Sequence, residues 1–177
     1  EAKLDDYEIQ MSESIINIIV LYNPVASDLR KIIACYRMVL NLERIGDLIM
    51  GTVSYIDRIK DPAIFKKSST LIDNMLILST QMVTRALLSY TNRDKEDAIW
   101  TIKNDSVVDE LNHKLLKKSI LKEKLPDETR KMLMSFINIK SIITNIERIA
   151  DHATNIAEAS IYAMEGKDMR HRNMENE

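Results

Sequence analysis

The sequence has 177 residues, of which 45% are hydrophobic and 29% charged, with a formal net charge of −2. This length can bury a core in one domain or two small ones. The charge balance disfavours a general nucleic-acid binder, because no excess of Lys and Arg is available to replace counterions on phosphates. The single cysteine, Cys35, excludes an intrachain disulfide framework and a Cys-x-x-Cys metal site, which fits a cytoplasmic protein.

An all-α fold is predicted, because three glycines and three prolines are too few for the tight turns of an all-β fold. The helices are expected at about 3–22, 25–59, 63–90, 95–120 and 126–165. Pro24 separates the first helix from the second, because a proline cannot continue a helix. Asp61 is expected to be extended, because a proline follows it. Asn92 is expected to end the third helix, Asp94 to cap the fourth and Gly166 to end the fifth. The longest apolar stretch, 15–21, is too short to span a bilayer.

Two phrases of the sequence occur twice, which predicts an internal repeat. "PVASDLRKI" at the start of the second helix corresponds to "PDETRKML" at the start of the fifth, and "NLERIGD" (41–47) corresponds to "NIERIAD" (145–151). The second repeat would contain three helices and the first only two.

The predicted organisation is therefore a first repeat at 1–60, a second at 61–166 and a loose tail at 167–177. By the same logic, the opening helix of the first repeat belongs upstream of Glu1. The first two helices should then expose apolar surface or associate, because the helix that would cover them is missing.

The repeated phrase places two acids four residues apart in a long helix, although like charges at this spacing are mildly unfavourable in an isolated helix. The pairs are Glu43 with Asp47 and Glu147 with Asp151. At about 100° per residue each pair shares one face, opposite the apolar face that should form the core. For one such pair a solvated acidic stripe is the ordinary explanation, but the repetition favours a shared function.

The fourth helix carries the same spacing in Asp105 and Asp109, with Asn112 next along that face. If this helix packs beside the fifth, its two acids could face Glu147 and Asp151. Four converging carboxylates would repel one another unless cations lay between them. Oxygen ligands suit Mg²⁺, Ca²⁺ or Mn²⁺, and bridging carboxylates also suit iron or zinc clusters.

These motifs resemble those of the PhoU family of phosphate-uptake regulators. "NPVASDLRKI" followed by "NLERIGD", together with "NIERIADHATNIAE" in the second half, carries the resemblance, which covers nearly all of the chain except the tail. It implies two repeated three-helix bundles, with the first lacking its opening helix. It also implies a cytoplasmic, homodimeric negative regulator of the phosphate-starvation response. Such a regulator would link the ATPase of a phosphate ABC transporter to a membrane sensor histidine kinase.

The resemblance also implies a set of metal ligands, with iron, zinc, manganese or magnesium as the metal. The family motif falls on Glu43, Asp47, Glu147 and Asp151, and its acidic phrase on the preceding helix falls on Asp105 and Asp109, and on Glu1 and Asp5 in the first repeat. The chain departs from the family after "ERIGD", where Leu48 and Gly51 replace the usual His and Asn or Asp. This departure makes the second repeat the stronger candidate site.

Two other functions remain open from the sequence. A di-iron carboxylate metalloenzyme would use a Glu-x-x-His pair such as Glu110 with His113, but that fold needs two pairs and the sequence holds one. His152 lies towards the core edge of the fifth helix and is expected to pack or form hydrogen bonds. In the third interpretation the chain is a structural helical bundle with a solvated acidic face.

Overall fold

Five helices form the part of the chain that the computed structural model describes, residues 2–120 and 129–170, with side-chain surroundings for 2–112 and 131–170. The helices are α1 (Ala2–Tyr22), α2 (Ala26–Asp57), α3 (Pro62–Asn92), α4 (Lys95–Ile120) and α5 (Thr129–Glu165). The predicted all-α fold is confirmed, since no strand occurs in these ranges. The expected start of the fifth helix at Pro126 and most of the predicted tail lie outside the described residues.

The helix ends follow from local chemistry that the sequence predicts. Asn23 follows the last residue of α1 and, with a φ of 43°, forms the turn before Pro24. Asp61 is extended and caps α3, because its side chain accepts hydrogen bonds from the backbone N–H groups of Ala63 and Ile64. Gly166 has a φ of 71°, which a glycine adopts without strain. These three ends are therefore confirmed.

Asn92 ends α3 as expected, two residues beyond the predicted bound at Tyr90. Arg93 follows it in the left-handed conformation, with a φ of 55°. Asp94 caps α4 as predicted, since its carboxylate accepts a hydrogen bond of 2.9 Å from the N–H group of Glu96.

The central element of the fold is the antiparallel pair of α2 and α5. On one side of α5, α3 and α4 complete a three-helix bundle, and α1 packs against α2. Contacts such as Asn145 with Leu48 fix the alignment of α2 and α5, and Asn112 with Glu147 does so for α4 and α5. The division into two repeats stays a prediction.

The core lies where the apolar face of α5 was predicted. Met75 and Met82 of α3 are fully buried and belong to the same core cluster as Ile142 and Ile146 of this face. The buried members of the predicted α5 face are Ile142, Ile146, Ile149, Ala153 and Ile156. With its apolar face buried in this way, α5 directs its acidic face towards α4 and solvent.

Several large apolar side chains on α1 and α2 are exposed. Val20, Leu21 and Tyr22 at the end of α1 are 73%, 74% and 76% exposed. Ile49 and Val53 on α2 are also exposed. None of the described helices is long and apolar enough to cross a membrane.

Candidate metal centre

The structure brings the acids of α4 and α5 together at their shared face. Burial and the nearby charges of Asp151 and Asp109, with a smaller contribution from Glu158, raise the pKa of Asp105 to about 6, although the Thr154 hydroxyl opposes the rise. One Oδ atom of Asp105 is buried and has no hydrogen-bond partner among the described residues. A cation beside this carboxylate would favour its ionised form.

Asp151 experiences the same crowding from the α5 side. The residue as a whole is exposed, yet neighbouring atoms desolvate its carboxylate, and this burial raises its pKa. The charges of Asp109 and Glu147 raise it further, while the Arg148 guanidinium lowers it. Asp105 and Asp109 of α4 therefore interact with Asp151 across the α4–α5 interface, and Glu147 acts on Asp151 within α5.

The Glu147 carboxylate has a partner on α4. Asn112 Nδ2 donates a hydrogen bond of 2.6 Å to Glu147 Oε2. Asn112 is only 6% exposed, and its own Oδ1 has no partner among the described residues. The sequence places Asn112 on this face but does not reveal that it contacts Glu147.

A second acidic set lies between α1 and α2. One carboxylate oxygen each from Asp5, Glu43 and Asp47 lie within 4.8 Å of one another. Burial and the charge of Asp47 raise the pKa of Glu43, and the Asp47 hydrogen bond and the Asp5 charge add to the rise. Arg44 opposes it, at 3.3 Å from both Glu43 Oε2 and Asp47 Oδ2. Glu1, the other expected member, lies outside the described residues.

The two sets differ in geometry. Among the described residues, the α1–α2 set is the one in which three carboxylates offer ligand atoms this close together. The α4–α5 set contains more acids but holds them farther apart. Both sets consist of oxygen donors, which suit hard divalent cations and carboxylate-bridged clusters. The preference for the second repeat stays a prediction.

The departure at Gly51 has a local explanation. Asn145 of α5 donates hydrogen bonds to the Leu48 carbonyl and the Thr52 hydroxyl on α2. A Cβ at position 51 would lie 3.1 Å from Asn145 Nδ2. Gly51 therefore leaves room for the asparagine that joins the two helices.

Asn41 of α2 opens "NLERIGD" as Asn145 of α5 opens "NIERIAD", and it too forms hydrogen bonds between these two helices. Asn41 Nδ2 donates to the Arg37 carbonyl, so its Oδ1 is free to accept from His152 Nδ1 at 2.8 Å and from Asn155 at 3.3 Å. His152 Nδ1 therefore carries the proton. Burial lowers the pKa of His152, and the charges of Arg44 and Arg148 lower it further. The expected hydrogen-bonding role of His152 is confirmed.

Glu110 is exposed on α4, directly after Asp109. The side chain of His113, its partner in the Glu-x-x-His spacing, lies outside the described residues. The chain has no second such spacing to complete a di-iron site.

Comparison with known proteins identifies relatives over most of the chain. The PhoU domain family model matches residues 1–56 and 72–160. A relative from Burkholderia sp, named phosphate-specific transport system accessory protein PhoU homolog, is 31% identical over 97% of this chain and 72% of its own length. One of the same name from Rhizobium meliloti is 31% identical over 92% of this chain and 68% of its own length.

Two solved structures share the fold. The crystal structure of PhoU from Pseudomonas aeruginosa superposes with a TM-score of 0.77 at 27% identity, covering 94% of this chain and 78% of that one. The phosphate transport system regulatory protein PhoU from Streptococcus pneumoniae gives a TM-score of 0.73 at 22% identity, covering 94% and 80%. At that identity the second comparison supports the fold alone.

Proposed function

The chain belongs to the PhoU family, and we propose that it is a non-enzymatic accessory regulator of phosphate transport. The observation that carries this proposal is the family match, which extends over both halves of the chain. Relatives that it matches over about seven-tenths of their length are named accessory proteins of phosphate-specific transport systems.

The regulator acts by contact with other proteins. It represses the phosphate-starvation response by linking the ATPase of a phosphate ABC transporter to a sensor histidine kinase. It works as a homodimer in the cytoplasm, held at the inner face of the membrane by the transporter. The exposed apolar side chains of α1 and α2, Val20 and Leu21 among them, support a role in protein contacts.

Divalent metal ions stabilise the regulator at its two acidic sets. Glu147, Asp151, Asp105 and Asp109 bind metal between α4 and α5. Glu43 and Asp47, with Asp5, bind it between α1 and α2. The raised pKa values of Asp105 and Asp151 support this assignment, because a cation between crowded carboxylates removes the repulsion that raises them.

Deletion of the gene tests the regulatory role. A reporter of phosphate-starvation transcription should be expressed at high phosphate in the deletion strain, and the wild-type gene should restore repression. Glu147→Ala with Asp151→Ala should restore it poorly. Asp57→Ala with Asp73→Ala, two exposed acids outside both sets, should restore it fully. A deletion strain that still represses the reporter at high phosphate would refute the proposed function.

The proposed partners can be tested directly. The immobilised chain should retain the purified cytoplasmic part of the kinase or the transporter ATPase, and sedimentation should show a dimer. Failure to retain either protein would contradict the linking role.

A further inference from the structure

Asn112 is a buried amide beside the acids of α4 and α5. It lies three residues after Asp109 and therefore on the same helix face. Its Nδ2 donates to Glu147 Oε2 at 2.6 Å, while its Oδ1 is buried without a partner in the described part of the chain. The side chain thus makes one strong contact, and that contact is to a carboxylate of the acidic set.

Among the described residues, Asn112 Oδ1 has no partner, so burying this amide is offset chiefly by the bond that its Nδ2 donates to Glu147. A buried carbonyl without a hydrogen bond is destabilising, and a leucine of similar size would avoid it. The benefit of Asn112 must therefore come from its donated bond. A hydrogen bond to an ionised carboxylate is short and directional, so it fixes the orientation of Glu147.

We propose that Asn112 is a positioning residue that holds Glu147 in the orientation that binds a divalent cation together with Asp109 and Asp151. Hydrogen bonds to ligating side chains orient ligands and tune affinity in metal sites generally. The inference rests on the proposed metal binding and adds one residue to it.

The acidic set between α1 and α2 has an acid where the α4–α5 set has this amide. Three residues after Asp5 lies Glu8, whose Oε1 accepts a hydrogen bond of 2.9 Å from the Ser12 hydroxyl. Glu8 is an acid and cannot donate to Glu43 when ionised. The effect of Asn112 should therefore be confined to the site between α4 and α5.

The test compares Asn112→Leu with Asn104→Leu in a background of Glu43→Ala and Asp47→Ala, so that binding reports the α4–α5 site. Asn104 also lies on α4, but its amide donates to the Trp100 carbonyl of its own helix. Calorimetric titration with Mn²⁺, and separately with Zn²⁺, measures affinity. Thermal melting in chelator measures stability without metal.

Asn112→Leu should weaken binding about 10-fold, the lower end of the usual effect of removing an outer partner. Its melting temperature in chelator should change little, because the loss of the hydrogen bond to Glu147 and the removal of the unpaired carbonyl oppose each other. Asn104→Leu should bind as the background does. If Asn112→Leu does not melt cooperatively, Asn112→Ser, which is too short to reach Glu147, takes its place with the same expected loss.

Two results would overturn the inference, and they can be told apart. If the background protein binds metal and Asn112→Leu binds it equally well, Asn112 is structural and the proposed metal binding stands. If neither the wild type nor the background protein binds Mn²⁺ or Zn²⁺, the metal binding fails and the inference fails with it.

Discussion

Asp105 holds a proton more readily in the folded chain than in the unfolded one, because burial and the charges of Asp151 and Asp109 raise its pKa to about 6. The folded state therefore gains stability from this group below its unfolded pKa, and loses that gain as the pH rises through about 6. Without metal, the ionised Asp105 carboxylate should destabilise the protein at neutral pH.

Asp105→Asn should stabilise the metal-free protein at pH 7, because the amide cannot ionise. The gain should be about 1 kcal/mol, since one pKa unit corresponds to about 1.4 kcal/mol and the half-buried group is partly screened by solvent. The difference from the wild type should shrink towards zero near pH 4. Urea unfolding in chelator measures this difference, with the exposed Asp73→Asn as control. A difference that does not change with pH would refute the account of Asp105.

At the scale of helices, local signals predicted where elements end but not how they meet. Pro24, Asp61 and Gly166 act on their immediate neighbours, so the sequence is sufficient to place these ends. The junction of α2 and α5 depends on Asn145 reaching Leu48, which is distant in sequence, and no local pattern encodes such a contact. In the sequence, the signal for this contact is the departure from the family pattern at positions 48 and 51, which lie beside Asn145 in the structure.

The acidic sets follow the same division between local and distant information. Spacing along one helix placed Asp105 with Asp109 and Glu147 with Asp151. The sequence predicts that these pairs face each other only if α4 packs beside α5, and spacing does not show whether the two helices are neighbours. The family resemblance includes Asp5 with Glu43 and Asp47, and the structure brings these three together. The contact of Asn112 with Glu147 joins two helices, so the sequence alone does not predict it.

The two hydrogen bonds from Asn145 should contribute to the α2–α5 junction. Asn145→Ala should lower the free energy of unfolding by about 1–2 kcal/mol, because two bonds between helices are lost. Ser141→Ala is the control, since the Ser141 hydroxyl donates to the carbonyl of Ile137 in its own helix. Equal stability of the two variants in chemical denaturation would contradict this role for Asn145.

At the scale of the whole molecule, the end of α1 presents an apolar surface to solvent. Val20, Leu21 and Tyr22 are adjacent and each more than 70% exposed, and Val25 follows them at 71%. Large contiguous apolar surface on a soluble protein favours association.

The chain of 177 residues should therefore self-associate. Val20→Glu with Leu21→Lys should weaken the association without lowering the helix content, because neither side chain is buried. Analytical ultracentrifugation over a range of concentrations measures the effect. Ser14→Ala, an exposed change elsewhere on α1, is the control. A wild type that stays monomeric at every concentration would contradict the prediction.

The central claim, that the acids bind metal, is tested most directly by the melting temperature of the wild type with and without chelator. Bound cations stabilise the native state by mass action, by about 2.7 kcal/mol at 100 times the dissociation constant, which corresponds to about 5–10 °C. Glu147→Ala with Asp151→Ala, and Glu43→Ala with Asp47→Ala, should each reduce this gain, and all four changes together should abolish it. Equal wild-type melting temperatures in chelator and in Mg²⁺, Mn²⁺, Zn²⁺ and iron would contradict metal binding at both sets.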